Sequence, residues 1–291
     1  MNLVMCCTPI DREASFERDL RFPLLASLFF RRAYPEAKVY VGTTLDAKVP
    51  EHFKQFFTVA RFDFAANPFA ISRQLFYASF CRGSHFTDDT VFAGMDVLWG
   101  NKPFPELEDH KMMVSYRFHP SQPYCSDLIV VRKDHGDFAA TFFDNIVKMM
   151  VFLPKGVLSF WADQIAMSIG IGKLGENDFD GQIHRAPRYR DILLVPGDDY
   201  LYTPNDIFSS VRTSFVTAIR TGKDVTTTEQ MLKLMYSKHG IHFKGARKPW
   251  FFLLALLVYE KGWINPYAHG DHIPLKQLFD EAFVKDEKEA A

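Results

Sequence analysis

The chain has 291 residues, 47% of them hydrophobic and 15% aromatic, with a formal net charge of -1. That length accommodates a single globular domain with a sizeable, unusually Phe-rich core, or one domain plus a small appendage. Near-neutral charge excludes a global electrostatic attraction to nucleic acid or to an anionic membrane, while leaving room for a local basic patch.

Cys6, Cys7, Cys81 and Cys125 form no C-x-x-C pair, so neither a zinc pattern nor a disulfide framework is present, and each is expected as a buried free thiol. No cationic segment followed by a hydrophobic run opens the chain, and its longest apolar run, Trp250 to Tyr259, is too short to span a bilayer. The expectation is a reduced, cytoplasmic protein with no integral membrane segment.

In chain order, Asn2 to Cys7 is a continuous apolar run, as in a buried parallel strand. Phe16, Leu20, Leu24 and Leu28 recur at helical spacing up to Arg31 and Arg32, with Pro23 marking either a kink or the helix start. Lys38 to Thr43 reads as a second strand, and Phe57 to Phe64 contains a third. Strand, helix, strand opens an α/β fold, in which a nucleotide is expected at the C-terminal ends of the strands. Thr8, Asp11 and Arg12 stand where a base or ribose would bind, or serve as turn residues.

Pro68 to Phe80 reads as a helix that carries Arg73, with Ile71, Leu75 and Phe76 facing inward. Thr90 to Gly94 is a strand leading into Met95-Asp96-Val97-Leu98-Trp99. Lys111 to Phe118 and Asp127 to Arg132 are two more strands, and the stripe from Phe138 to Met150 is the core face of an amphipathic helix. Asp163 and Gln164 open a helix, a place where an aspartate also serves as an N-cap. Gly170 to Gly175 looks like a glycine-rich phosphate loop, but it follows a helix and not a strand, so it reads as a helix end.

Arg185, Arg188 and Arg190 cluster ahead of a late strand, Ile192 to Val195. Thr203-Pro204-Asn205-Asp206 starts one helix, and Thr227 to Gln230 starts another that ends near Gly240. No repeat or linker divides the chain. One domain is expected over residues 1–262, with an extension over 263–291 that packs on it and ends in a charged tail.

The chemistry is concentrated in His242-Phe243-Lys244-Gly245-Ala246-Arg247-Lys248-Pro249-Trp250. Pro249 suits the first turn of a helix, and Gly245 permits close approach of backbone to a ligand. The open N–H groups of the new helix attract an anion, and Lys248 adds a full charge there. His242 is suited to bind a metal or to donate to a phosphate oxygen. The loop therefore suits a pyrophosphate with a divalent cation beside it. Its H-x-x-G-x-x-K-P-W spacing resembles the C-terminal donor-binding motif of glycosyltransferase family 8, with every defining position present.

The resemblance covers roughly residues 1–262. It implies a GT-A fold, an α/β single domain whose mixed, mostly parallel central sheet is flanked by helices. It also implies transfer of a sugar from a nucleoside-diphosphate sugar, usually a UDP-sugar, to an acceptor hydroxyl with retention. Thr8, Arg73, His242, Gly245 and Lys248 would then face the nucleotide and its diphosphate, and Asp96 with His242 would carry Mn²⁺ or Mg²⁺. Asp163 and Gln164 would orient the sugar near its reacting carbon. Attack from the side on which the diphosphate leaves lets the departing phosphate take the proton, so no strong base is required.

Two places depart from the family pattern. Its metal signature, hhhhDxDxh, sets two acids at a strand end, but Gly94 stands at the first position and only Asp96 remains. Asp88 and Asp89 lie at the opposite end of that strand, and Cys125-Ser126-Asp127 stands where the family has Asn-x-Gly. The acceptor remains open between a saccharide, a lipid-linked glycan and hydroxymethylated bases in DNA. For DNA, Arg185, Arg188, Arg190, Arg212 and Arg220 would supply a basic face. Gly94 also admits a sugar-nucleotide-binding protein that has lost catalysis, whereas the Lys-Pro-Trp motif argues against a nucleotidyltransferase.

Overall fold

Strand β1 (Asn2–Cys6) is buried along its whole length, the behaviour of a strand covered on both faces. Its side chains alternate strictly: Leu3 and Met5 join one apolar cluster, while Val4 and Cys6 join another. A computed structural model describes residues 1–9, 16–64, 68–104, 107, 109–116, 124–154, 162–171, 191–202, 238–243 and 251.

Six further strands complete the sheet that contains β1: β2 (Val39–Thr44), β3 (Thr58–Phe62), β4 (Thr90–Ala93), β6 (Met112–Tyr116), β7 (Tyr124–Val131) and β8 (Ile192–Pro196). Their order is β3-β2-β1-β4-β7-β6-β8. β7 is antiparallel to both of its neighbours, β4 and β6, while every other pairing in the sheet is parallel. A second, three-stranded sheet orders β5 (Val97–Trp99), β10 (Gly240–His242) and β9 (Leu201–Tyr202) as β5-β10-β9.

Helices cover both faces of the large sheet. On one side α2 (Arg21–Ala33) packs with the small sheet, where Phe29, Phe30, Trp99, Ile241 and Phe243 share a cluster. On the other lie α3 (Phe69–Arg82), α4 (Gly136–Val151) and α5 (Ala162–Ile171), which bury Phe76, Tyr77, Phe143 and Met167. The break expected near Pro23 is at Leu20, between a one-turn helix, α1 (Phe16–Asp19), and α2. Pro23 sits in the first turn of α2, where a missing N–H costs no hydrogen bond. No helix among the described residues is long and apolar enough to cross a membrane, and all four cysteines are buried free thiols.

After β4 the chain turns at Gly94–Asp96 and enters the second sheet as β5. The structure corrects one sequence expectation. Cys125 and Ser126 do not precede the strand expected from Asp127 but lie with it within β7, opposite a register shift between Val114 and Ser115 of β6. Such a bulge re-aims the side chains it carries. The helices expected from Thr203, Thr227 and Leu275 lie outside the described residues. Of the helix expected after Trp250 only Phe251 is described, helical and buried against Phe22 and Phe243.

Gly42 is fixed by packing. A Cβ on Gly42, in β2, would overlap the Phe76 ring of α3, so the helix lies on this strand only because the side chain is absent. Overpacking of this kind costs about 1–3 kcal/mol. Gly42→Ala is expected to lower unfolding free energy by that amount in urea denaturation, and Phe76→Leu in the same chain to recover part of it.

Candidate functional site

Parallel strands β1, β2 and β4 present their C-terminal ends on one edge of the large sheet, and antiparallel β7 brings its N-terminal residues to the same edge. Ala93 of β4 pairs with Leu128, and the Gly94 N–H donates to the Asp127 carbonyl at 3.4 Å. The turn at Gly94–Asp96 therefore lies level with Cys125–Asp127. The second sheet adds the third wall. β10 runs antiparallel to β5 with His242 opposite Val97, and the Phe243 N–H donates to the Asp96 carbonyl at 2.9 Å.

His242 is thus held against the acids. Its Nε2 lies 3.2 Å from Asp96 Oδ1 and 3.7 Å from Asp127 Oδ2. The Cys125 thiol donates to the same Asp127 oxygen at 3.4 Å. All four side chains are buried. Burial alone would push the imidazole toward its neutral form, but Asp127 and Asp96 outweigh it and raise the His242 pKa to about 9. His239, two residues earlier, goes the other way. It stacks against both Phe104 and Tyr200, and burial lowers its pKa to about 4 despite its hydrogen bond to the Lys102 carbonyl.

A second cluster adjoins the first. Asp163 sits in the first turn of α5 with no exposed surface, and such a carboxylate needs a partner. Arg73 of α3 forms an ion pair with it, and Gln74 Nε2 donates to the same oxygen at 3.0 Å. Asp163 is therefore held by side chains of α3, in addition to accepting the Gln164 N–H at 2.9 Å. Arg73 also donates to Ser126 Oγ at 2.8 Å and lies 3.5 Å from Asp127 Oδ1. Burial works against its charge, but Asp163, Tyr77 and Asp127 overcome that and hold the guanidinium protonated. Asp127 thus faces Arg73 with one oxygen and His242 with the other.

The structure brings together Asp96 and His242, and separately Arg73, Asp163 and Gln164. Thr8 lies on the same sheet edge beyond β1, buried, with an Oγ1 that has no hydrogen-bond partner among the described residues. Gly245 and Lys248 lie outside the described residues, as do Asp11, Arg12 and the arginines at 185, 188, 190, 212 and 220. Asp127 and Gln74 were missed as site residues. A lone acid heading the apolar run Leu128 to Val131 was the available signal for Asp127, but only the β4–β7 pairing sets it beside Gly94.

The donor set fits a divalent cation. Ligand atoms of Cys125, Asp127 and His242 lie within 4.8 Å of one another; Asp96 stands outside that group, with its Oδ1 3.2 Å from the His242 imidazole nitrogen. Carboxylate oxygens with one imidazole accommodate ions of the Mg²⁺ and Mn²⁺ kind. Asp88 and Asp89 lie at the far end of β4, where the Asp89 carbonyl accepts the Asn2 N–H, and take no part.

No protein-family model matches the chain, and no curated protein matches it in sequence. Solved structures match its fold. The galactosyltransferase LgtC, in complex with donor and acceptor sugar analogs, superposes with a TM-score of 0.50 at 11% identity, over 88% of this chain and 96% of that one. The glycosyltransferase GlyE of Streptococcus pneumoniae TIGR4 gives a TM-score of 0.52 at 10% identity, over 98% of this chain and 63% of that one. The chain has the GT-A fold.

Two outcomes follow from the electrostatics. Removing Arg73 would leave a buried carboxylate without its cation, at a cost of about 3–5 kcal/mol. Arg73→Met should lose that much in chemical denaturation, and Arg73→Met with Asp163→Leu should regain most of it. For His242 the folded pKa exceeds the unfolded one, so its contribution is complete below pH 6.5 and disappears as pH rises through about 9. In chelator-treated protein the stability difference between wild type and His242→Gln should shrink across that window, by on the order of 3 kcal/mol at most. His239 changes stability only below pH 6.5, so the two are separable.

Proposed function

We propose that the chain is a glycosyltransferase that moves a sugar from a UDP-sugar to an acceptor hydroxyl with retention of anomeric configuration. The observation that carries this reading is the convergence of His242 on Asp96 at the sheet edge, with the Asp163–Gln164 pair on the adjoining helix. The fold supports it, since LgtC, which shares that fold, is described with donor and acceptor sugar analogs.

In this reading Lys248 and the N–H groups that follow it hold the donor diphosphate. A divalent cation at Asp96 and His242 would neutralise the charge that develops on the leaving group. Arg73 and Gln74 fix Asp163, which sets the first turn of α5 and with it the Gln164 amide beside the donor sugar. The acceptor is a saccharide or lipid-linked glycan hydroxyl. Its oxygen bonds to the anomeric carbon as the carbon–phosphate oxygen bond breaks on the same face, and its proton passes to the departing phosphate. Orientation and fixed charge supply the rate, so the absence of a free strong base among the named residues is consistent with the chemistry.

The test is release of UDP from a panel of UDP-sugars, alone and with candidate acceptors. Lys248→Ala is expected to lower kcat/KM by on the order of 100-fold or more, and Gln164→Ala to lower kcat with little change in KM. Full activity in Lys248→Ala, or no UDP release from any donor by the wild type, would sink the assignment.

A further inference from the structure

The acid missing from the turn after β4 has a spatial replacement. A Cβ built on Gly94 would lie 2.9 Å from Asp96 Oδ1 and 3.1 Å from Asp127 Oδ1, so the space a side chain at 94 would enter already holds the Asp127 carboxylate. We propose that Asp127, delivered from β7, acts as the second carboxylate ligand of a divalent-cation site completed by Asp96 and His242.

Three independent features of the fold converge on this. The first is topological. β7 is the strand that runs against its neighbours, so its N-terminal end reaches the edge where the parallel strands end. The second is local. The register shift opposite Val114 and Ser115 places Asp127 on a bulge, with Ser115 Oγ donating to the Leu128 carbonyl at 3.2 Å to hold the irregular backbone. The third is chemical. Oδ2 of Asp127 faces His242 Nε2, and the Cys125 thiol donates to the same oxygen and orients it, while Oδ1 is turned toward Arg73.

Gly94 leaves room for this arrangement. A side chain there would crowd both carboxylates, so Asp96 or Asp127 would have to shift to admit an aspartate at 94. Among the described residues the cluster sets Asp96, Asp127 and Asp163 around one guanidinium and one imidazole, a charge environment suited to a doubly charged ion. The buried Thr8 hydroxyl and the Arg73 Nε have no hydrogen-bond partner among the described residues, and both lie on elements that meet at this edge. The diphosphate that would complete the ion's shell rests on the glycosyltransferase reading; the protein ligands do not.

The experiment titrates Mn²⁺ alone, without nucleotide, into full-length wild type, Asp127→Asn and the exchange variant Gly94→Asp with Asp127→Gly. Binding is followed by calorimetry and by loss of the free-ion Mn²⁺ paramagnetic resonance signal, with folding checked by circular dichroism. Wild type should bind, Asp127→Asn should weaken binding at least about tenfold, and the exchange variant should recover most of the loss. Wild type that takes up no Mn²⁺, or Asp127→Asn that binds as wild type does, would overturn the proposal. Should the variants not fold, anomalous diffraction from wild-type crystals soaked in Mn²⁺ decides. An ion with Asp127 among its ligands supports the proposal, and one held by Asp96 and His242 with Asp127 turned to Arg73 overturns it. Because no nucleotide is present, failure here leaves the donor assay with Lys248→Ala standing, and failure there leaves this site standing.

Discussion

Asp163 has no exposed surface, and the way the fold meets that one charge organises its working edge. The carboxylate draws Arg73 and Gln74 from α3, and Arg73 in turn binds Ser126 and approaches Asp127 on β7. One guanidinium thereby joins two helices to the strand that crosses the sheet against its neighbours. A buried ion pair of this kind adds little net stability over an apolar substitute, but it breaks expensively, so it specifies position more than it stabilises. The position specified is the start of α5, where Gln164 stands. The same residue reaches the neighbouring cluster, so the two halves of the site share a cation.

Much of the large sheet was legible in the sequence because buried parallel strands leave continuous apolar runs. Asn2 to Cys7 and Lys38 to Thr43 mark their strands to within a residue, and Phe57 to Phe64 brackets a third. The helix from Pro68 was legible for a second reason, since proline fixes its N-terminal boundary. The second sheet was not legible. Val97 to Trp99 and Gly240 to His242 are three residues each, too short for a periodic signal, and they pair across more than a hundred residues of chain. Only that pairing sets His242 on Asp96.

The site was legible where residues are neighbours in sequence and illegible where they are neighbours only in space. Asp163 and Gln164 stand out as a pair at a helix start, and Asp96 at a strand end. Asp127 does not, because a bulge moves it out of the alternation that would otherwise assign it to one face of β7. Read along the chain, Gly94 is a lost acid. Read across the sheet, it is the gap that Asp127 fills. A sequence motif records the order of ligands along one strand, whereas an ion responds only to where the oxygens are.

That distinction bears on how the site behaves before any ligand arrives. Asp127 and Asp96 hold a proton on His242, so an imidazolium occupies the centre of the cluster at neutral pH. On the proposed reading a divalent cation displaces that proton, exchanging one positive charge for two, and its affinity rises with pH because the proton competes. On that reading the carboxylates face a positive charge in either state. Fixed charges cost no reorganisation when charge develops on a bound group, which is the requirement for stabilising a departing diphosphate. The proton on His242 then stands where the ion's charge would. Removing the imidazole would cost more than a ligand, since the repulsion between Asp96 and Asp127 would no longer be opposed from within the site.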